Sequence, residues 1–249
     1  MQQNNLVTIE GRNAVLETLK TDRNIKKLII ENTAKGDKIA EIENLAHQKS
    51  ILIEYKDRFL LNKQSVTKTH EGVIALAGRK EFLSFKQFQN TISNKENVCV
   101  LILRGLMHDQ NLGAIVRTAA SSGVCAIALT KEKKDFFINS QVERVSEGAT
   151  NYITFIKESF FSLLKNLDKE GYKIIALENT GTVNYFDEDY TGKIAIILGN
   201  ESETLGERNY GNIVKIPMVA KISSLNVSVS AGIVLYERLK QIIKNGKTI

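Results

Sequence analysis

Three short stretches of the sequence concentrate groups that can grip a polyanion or orient a hydroxyl. "RGLMHDQNLGAIVRTAASSG" (Arg104 to Gly123) carries Asn111 and Arg117, and "ILGNESETLGERN" (Ile197 to Asn209) carries Gly199, Asn200 and Glu201. "IPMVAKISSLNVSVSAGI" (Ile216 to Ile233) holds the single proline, Pro217, and crowds Ser223, Ser224, Asn226, Ser228 and Ser230 among core-type residues. A guanidinium offers a planar fork of donors matched to phosphate, yet it rarely gives up a proton. A glycine just past a strand lets backbone approach a ligand closely. Each stretch follows an apolar run that reads as a strand, and open α/β sheets bind ligands outside the carboxyl ends of their strands. The expectation is one pocket with Arg117, Glu201 and Asn226 as its polar groups.

Each stretch also has a plainer reading. Arg117 could be a solvated residue on an amphipathic helix, although Gly113, Ala114, Ala119 and Ala120 suggest close packing around it. Asn111 is placed to cap that helix. The second stretch could be an ordinary polar turn. The third could be a helix capped by Ser223 or Ser224, which accounts for one serine and leaves Asn226 unexplained.

Other chemistries lack their residues. No G-x-G and no G-x-x-x-x-G-K-[ST] occurs, so neither the dinucleotide fingerprint nor the usual phosphate cradle is present. No H-E-x-x-H or G-x-S-x-G occurs, and His47, His70 and His108 are scattered. The two cysteines, Cys99 and Cys125, offer no metal site by spacing. Both lie in apolar strand-like runs, which suits buried thiols in a reducing compartment, and the cytoplasm is the expectation. The N-terminal stretch lacks the blocks of a signal peptide, and no apolar run approaches the roughly 20 residues of a membrane span. The net charge of +6 is spread over the chain and only mildly favours a polyanionic partner.

The elements that must position these groups alternate. Residues 1–78 read as a small α/β unit, with helices in "GRNAVLETLKTD", "DKIAEIENLAHQKS" and "RFLLNKQ" and strands in "IKKLIIE", "ILIEY" and "EGVIALAG". Residues 79–97 look like a polar connector with one short helix. From 98 to 249, apolar runs such as "VCVLILRG", "VCAIALT", "YKIIALE" and "KIAIILGN" alternate with amphipathic helices, and a helix-compatible segment lies near 139–149. Run-like strands predict a mostly parallel sheet covered by helices.

With these residues in hand, "NLGAIVRT", "LGNE" and "IPM…SSLNVSVSAGI" resemble, in order, the three motifs of the SpoU or TrmH family, 2′-O-ribose methyltransferases of RNA within the SPOUT class. "GRNAVLETL" and "HEGVIAL" are similar to a small domain like ribosomal protein L30e, found in a branch that methylates a guanosine of large-subunit ribosomal RNA. The resemblance implies a trefoil-knotted catalytic domain with a mostly parallel sheet at 98–249, an L30e-like RNA-binding domain at 1–78, and a linker at 79–97. It implies S-adenosylmethionine as cofactor, RNA as substrate and a homodimer. "SSLNVS" would be catalytic floor and knot crossing at once. Carried over, Asn111, Arg117, Glu201, Ser224 and Asn226 fall on the family's catalytic positions. Gly199, Ile216 and Leu225 match backbone positions that hold the cofactor, with Met218 adjacent. Arg12 and Asn13 are candidates for RNA contact. Gln110 stands where the family usually has proline, and Ser202 and Thr204 replace two common glycines. Alternative substrates are transfer RNA, or ribosomal RNA at an antibiotic site. A non-catalytic RNA-binding or ribosome-assembly factor is the alternative of another class.

Overall fold

The computed structural model describes residues 5–92, 95–105, 108–130, 137–199, 211–220 and 224–246. The chain divides into two compact units, one of residues 1–80 with 137–152 and one of 81–136 with 153–249.

In the first unit, β1 (Leu6–Glu10), α1 (Arg12–Leu19), β2 (Ile25–Glu31), α2 (Asp37–Gln48), β3 (Leu52–Lys56), α3 (Arg58–Gln64) and β4 (Val73–Gly78) follow in order. The sheet order is β1-β4-β2-β3, with only the β2–β3 pair parallel. Helix α2 forms because Ile39, Ile42 and Ala46 recur at helical spacing and bury against Leu19, Leu28 and Ile30. Strand β1 was not expected from sequence. It ends in Glu10, which is fully buried and accepts hydrogen bonds from Ser65 Oγ (2.6 Å), Thr67 Oγ1 (2.5 Å) and two backbone amides.

The segment 137–152, expected to lie among the elements of the second half, belongs instead to the first unit. It holds helix α6 (Ser140–Val145) and a 3-10 turn at Ala149–Tyr152. The cause is a buried ion pair: Arg23 Nη2 meets Glu143 Oε1 at 2.8 Å, with the carboxylate fully buried. Thr150 Oγ1 donates to the second carboxylate oxygen at 2.5 Å, and Arg23 Nε donates to Gly78 O at 2.8 Å. A charge so deeply desolvated is tolerable only when paired and hydrogen-bonded in this way.

The second unit contains β5 (Phe82–Leu83), α4 (Phe85–Thr91), β6 (Val98–Arg104), α5 (Asp109–Ser121), β7 (Ala126–Thr130), β8 (Thr154–Ile156) and α7 (Phe160–Lys169). It continues with β9 (Lys173–Leu177), β10 (Val183–Asn184), β11 (Lys193–Leu198), β12 (Asn212–Lys215) and α8 (Val227–Lys244). Its eight strands pair in the order β10-β12-β9-β11-β6-β7-β8-β5, and each pairing is parallel. Strand β6 is buried along both faces, as its unbroken apolar run predicted. The polar stretch read as a connector supplies an edge strand and a core helix. Phe85, Phe88 and Ile92 share one side of α4 and bury beside Leu163 and Tyr172, and Ser84 and Gln87 close a capping box at its start. Among the described residues, no helix is long and apolar enough to cross a membrane.

Candidate functional site

The strand order fixes where the motifs can meet. Chain connections leave β6 toward β7 on one side, while β11, β9 and β12 lie on the other, so the order of strands, all parallel, switches sides between β6 and β11. Such a switch point leaves a crevice at the carboxyl edge. Leu103 pairs with Leu198, Leu198 with Leu177 and Leu177 with Val214, so four strands end at one level. The entry to α5, Gly199 and Ile216 therefore lie along the same edge.

Helix α5 begins at Asp109, two residues before Asn111. Its cap position is His108, without a side-chain cap bond, and Asp109 lies in the first turn, where the helix dipole favours a negative charge. Asn111 is thus a first-turn residue, and this frees its amide. Helix α8 is capped by neither Ser223 nor Ser224. Its cap is Asn226, whose Oδ1 accepts from Ser228 N at 2.9 Å and from Ser228 Oγ at 2.6 Å. With Oδ1 so engaged, Nδ2 faces outward and donates to Asn111 Oδ1 at 3.2 Å. A serine could make the cap but not this bridge, because it lacks a second polar atom. That accounts for the asparagine.

The two helices pack lengthwise. A Cβ added to Gly232 on α8 would lie 3.9 Å from Thr118 Cγ2, two turns along α5 from Asn111. At the far end Arg238, fully buried on α8, donates to Ser122 O (3.5 Å), the cap residue at the C-terminus of α5. Its Nε and Nη2 have no partner among the described residues. Sequence reasoning had no hold on Arg238: an arginine in an amphipathic helix gives no sign of being enclosed. Cys99 lies within this charge's reach. Burial pushes its thiol up to about 12, partly opposed by the Arg238 charge. Cys99 is a protonated core residue, not a nucleophile.

Arg117 is exposed, against the expectation of close packing around it. The physical reason is helical phase. Leu112, Ile115, Val116 and Ala119 face the sheet, and Arg117 falls on the opposite side of α5. Gly113 and Ala119 are buried by the core contact instead. Ser224 and Leu225 are half-buried ahead of α8, Asn226 is exposed, and Ile216 and Met218 are half-buried beyond β12. Glu201, Ser202, Thr204 and Ser223 lie outside the described residues, and with them part of the expected knot crossing. The structure thus brings Asn111 and Asn226 together and sets Gly199 and Ile216 on the same sheet edge. Half-buried Ile216, Met218 and Leu225, with strand-end backbone at Gly199 and Ile216, fit a ligand part apolar and part amide-binding. Among the described residues, no cluster of histidines, cysteines or carboxylates could hold a metal ion.

The N-terminal candidates are placed differently. Arg12 Nε donates to Glu71 O and its Nη1 to Lys35 O, both at 3.0 Å. Asn13 Nδ2 donates to Glu147 Oε2 at 3.0 Å, and its Oδ1 accepts from Lys38 Nζ. Both side chains brace the first unit.

Comparison with known proteins agrees over nearly the whole chain. Residues 98–236 match the model of the SpoU rRNA methylase family, and residues 8–83 match that of the RNA 2′-O ribose methyltransferase substrate-binding domain. YacO of Bacillus subtilis (strain 168), named for the TrmH family of tRNA/rRNA methyltransferases, is 32% identical over 91% of this chain and 92% of its own length. RlmB of Xanthomonas campestris pv. campestris, named 23S rRNA (guanosine-2′-O-)-methyltransferase, is 30% identical over 94% of this chain and 96% of its own. The crystal structure of the SpoU methyltransferase AviRb from Streptomyces viridochromogenes, in complex with AdoMet, shares the fold with a TM-score of 0.79. It covers 96% of this chain and 92% of that one at 19% identity.

Proposed function

Because the chain belongs to the SpoU rRNA methylase family, and is an RNA methyltransferase with S-adenosylmethionine as cofactor, we propose that it methylates the 2′-oxygen of a guanosine in large-subunit ribosomal RNA. The observation that carries the site assignment is the Asn226–Asn111 bond, which joins motifs 115 positions apart at the switch point of the sheet. The relative named for guanosine methylation of 23S rRNA supports the substrate. Transfer RNA is the second reading, since the similar YacO is named for both RNA classes.

When bound, S-adenosylmethionine supplies an electrophilic methyl group on sulfur. Backbone at Gly199 and Ile216, with Leu225 and Met218 as apolar walls, would hold it. Arg117, exposed on α5, is positioned to grip a phosphate next to the target ribose through two parallel N–H···O bonds, which orients the sugar. Such alignment is worth roughly 7–11 kcal/mol in favourable systems. Because a guanidinium holds its protons, the 2′-hydroxyl proton leaves through that phosphate or a water rather than to Arg117. Asn111, Asn226, Ser224 and Glu201 fix the ribose edge of the site.

We infer a homodimer as well, and the exposed face of α8 supports it. Val229, Tyr236 and Ile243 are 50%, 50% and 65% exposed and recur every seven residues, an apolar stripe suited to a second copy. Cys99 is buried and Cys125 half-buried, and neither forms a disulfide, which suits the cytoplasm.

The direct test is methyl transfer from labelled S-adenosylmethionine to large-subunit ribosomal RNA and to transfer RNA. Label recovered as 2′-O-methylguanosine from ribosomal RNA is the expected outcome. Label in transfer RNA alone overturns the substrate and keeps the reaction. No label in free RNA or in ribosomal particles overturns the activity.

A further inference from the structure

The first unit contains a cleft of about 660 Å³ between the loop after β2, helix α3 and the loop leading into β4. Four of its lining residues are cations, Arg12, Lys35, Arg58 and Lys68, against two carboxylates, Glu31 and Glu71. Glu71 is already neutralised, by Arg144 Nη2 at 2.6 Å and by the backbone amide of Arg12 at 3.0 Å. Arg58 and Lys35 make no ion pair among the described residues, and both are exposed. The local excess is therefore positive, and it is not cancelled from within the unit.

The walls are built rather than incidental. The buried Glu10 carboxylate holds Ser65, Val66 and Thr67 at the start of the loop. Lys68 and Glu71 both occupy left-handed backbone, at φ 62° and 53°, a conformation that costs a side-chain-bearing residue free energy and persists only where surroundings enforce it. Lys68 Nζ returns to the last carbonyls of α3, Asn62 O at 2.8 Å and Ser65 O at 2.9 Å. At Gly72, φ is +85° and a Cβ would meet Ala34 Cβ at 3.0 Å, so only glycine lets the two loops close on each other.

His70 sets the polarity of the cleft. It is 5% exposed, and its Nδ1 accepts from Gly72 N at 3.0 Å, so the ring proton sits on Nε2. Nε2 then donates to Asn62 Oδ1 at 2.9 Å. With its oxygen engaged, Asn62 offers the cleft only its NH₂ donors. Asn62, Arg58 and Lys35 together make a wall of donors, which suits the oxygens of a phosphodiester.

Beside Arg58 and Asn62, one helical step around α3, Phe59 is 66% exposed with Lys63 Nζ 4.3 Å from its ring centroid. Leu60 and Val66 are also exposed, at 42% and 62%. Folding gains nothing from exposing so much apolar surface, and an exposed aromatic ring among cations is the usual platform for an unstacked base.

We infer that this cleft is a nucleotide site: the donor wall of Arg58, Asn62 and Lys35 holds a phosphodiester of unpaired RNA while Phe59 stacks on an adjoining base. The inference rests on the RNA-substrate reading above and assigns the residues that would read an RNA loop, distant in sequence from the methyl-transfer motifs. The site recognises unpaired nucleotides rather than duplex, because a paired base cannot reach a ring set beside its own phosphate grip.

The test is fluorescence anisotropy of a labelled RNA hairpin with an unpaired loop, and of a blunt duplex of equal length, on the full-length wild type, Arg58→Gln, Phe59→Ala and the pair together, each over a salt series. Methyl transfer to ribosomal RNA and thermal midpoints are read in parallel. Both side chains are exposed, so midpoints equal to wild type are expected and certify folding. Arg58→Gln is expected to weaken hairpin binding about tenfold and to lower the slope of log K against log salt by about 0.7. Phe59→Ala is expected to weaken hairpin binding roughly tenfold, leave duplex binding unchanged and leave the salt slope unchanged. Hairpin affinity unchanged in folded variants, with wild type binding and methylating RNA, overturns the cleft assignment alone. A wild type that neither binds nor methylates any RNA overturns the parent reading and this one together. Equal losses on hairpin and duplex from Phe59→Ala overturn the stacking role.

Discussion

Two helix entrances carry the same kind of signal and come to opposite ends. "GRN" opens α1 and "HDQN" opens α5, each a cluster of polar groups after a strand; the resemblance makes the first a candidate RNA contact, and the second reads as part of a ligand pocket. In the first unit the polar atoms are closed on one another: Arg12 on two carbonyls, Asn13 between Glu147 and Lys38. In the second, Asn111 and Asn226 share one hydrogen bond and Arg117 stays exposed. A polar cluster in sequence becomes scaffold where its side chains close on neighbours within one unit, and stays available to a ligand where the fold leaves them at the surface, as we propose for Arg117. The neighbouring cleft in the first unit follows the same rule, since Arg58 and the amide donors of Asn62 remain on offer.

Variants can break this contrast, the largest effect first. Arg117→Ala is expected to lower methyl transfer about 10²–10⁴-fold with little change in the thermal midpoint, because the side chain proposed to grip substrate is exposed and lies off the buried face of α5. Arg117→Lys is expected to stay near the alanine value, since an ammonium cannot make the bidentate grip. Near-wild-type turnover by the lysine variant would remove Arg117 from the centre of the mechanism. On the closed side, Glu143→Ala leaves Arg23 buried without its partner and is expected to cost about 3–5 kcal/mol, measured by urea unfolding. A loss below about 1 kcal/mol would mean that water reaches the pair and that the segment 137–152 is held by other contacts.

Asn226 tests both roles at one position. Asn226→Ala loses cap and bridge, with about 1 kcal/mol of stability and a fall in activity expected. Asn226→Asp keeps the cap but sets a carboxylate oxygen against Asn111 Oδ1, so activity is expected to fall roughly tenfold with stability nearly kept. Equal stability losses in the two variants would show that the bridge, not the cap, anchors α8.

The smallest effect concerns Tyr152→Phe. Glu17 is held below its ordinary 4.5, chiefly by the hydrogen bond from Tyr152, and Tyr152 is held above its ordinary 10.0 by the same bond. A lowered carboxyl contributes stability present above 4.5 and lost as pH falls; a raised phenol contributes stability present below 10.0 and lost as pH rises. The gap between wild type and variant, about 0.5 kcal/mol at most for so exposed a pair, should be widest between those pH values and narrow on either side. A pH-independent gap would assign the effect to packing.

Much of the fold was legible because it rests on local periodicity. The apolar run of β6 and the helical spacing of Ile39, Ile42 and Ala46 each dictate one element. What escaped reading was compensated burial. Nothing in "LVTIE" announces that Glu10 will be enclosed, because its four donors come from residues 65–67, more than fifty positions away. The short helix of the connector was legible but its burial was not, because Phe85, Phe88 and Ile92 are few among polar neighbours and find their core only in the packed unit.

The sequence by itself determined most of the longer helices and strands, the parallel character of the larger sheet and the residue types that the chemistry requires. Tertiary structure alone decided which side of α5 carries Arg117, that Asn226 both caps α8 and reaches Asn111, and that the first unit's polar clusters divide into brace and open cleft. The reason is that periodicity acts between residues three or four apart. The partner of a polar atom is chosen across the whole chain, by whichever donor or acceptor the packed core brings within about 3 Å.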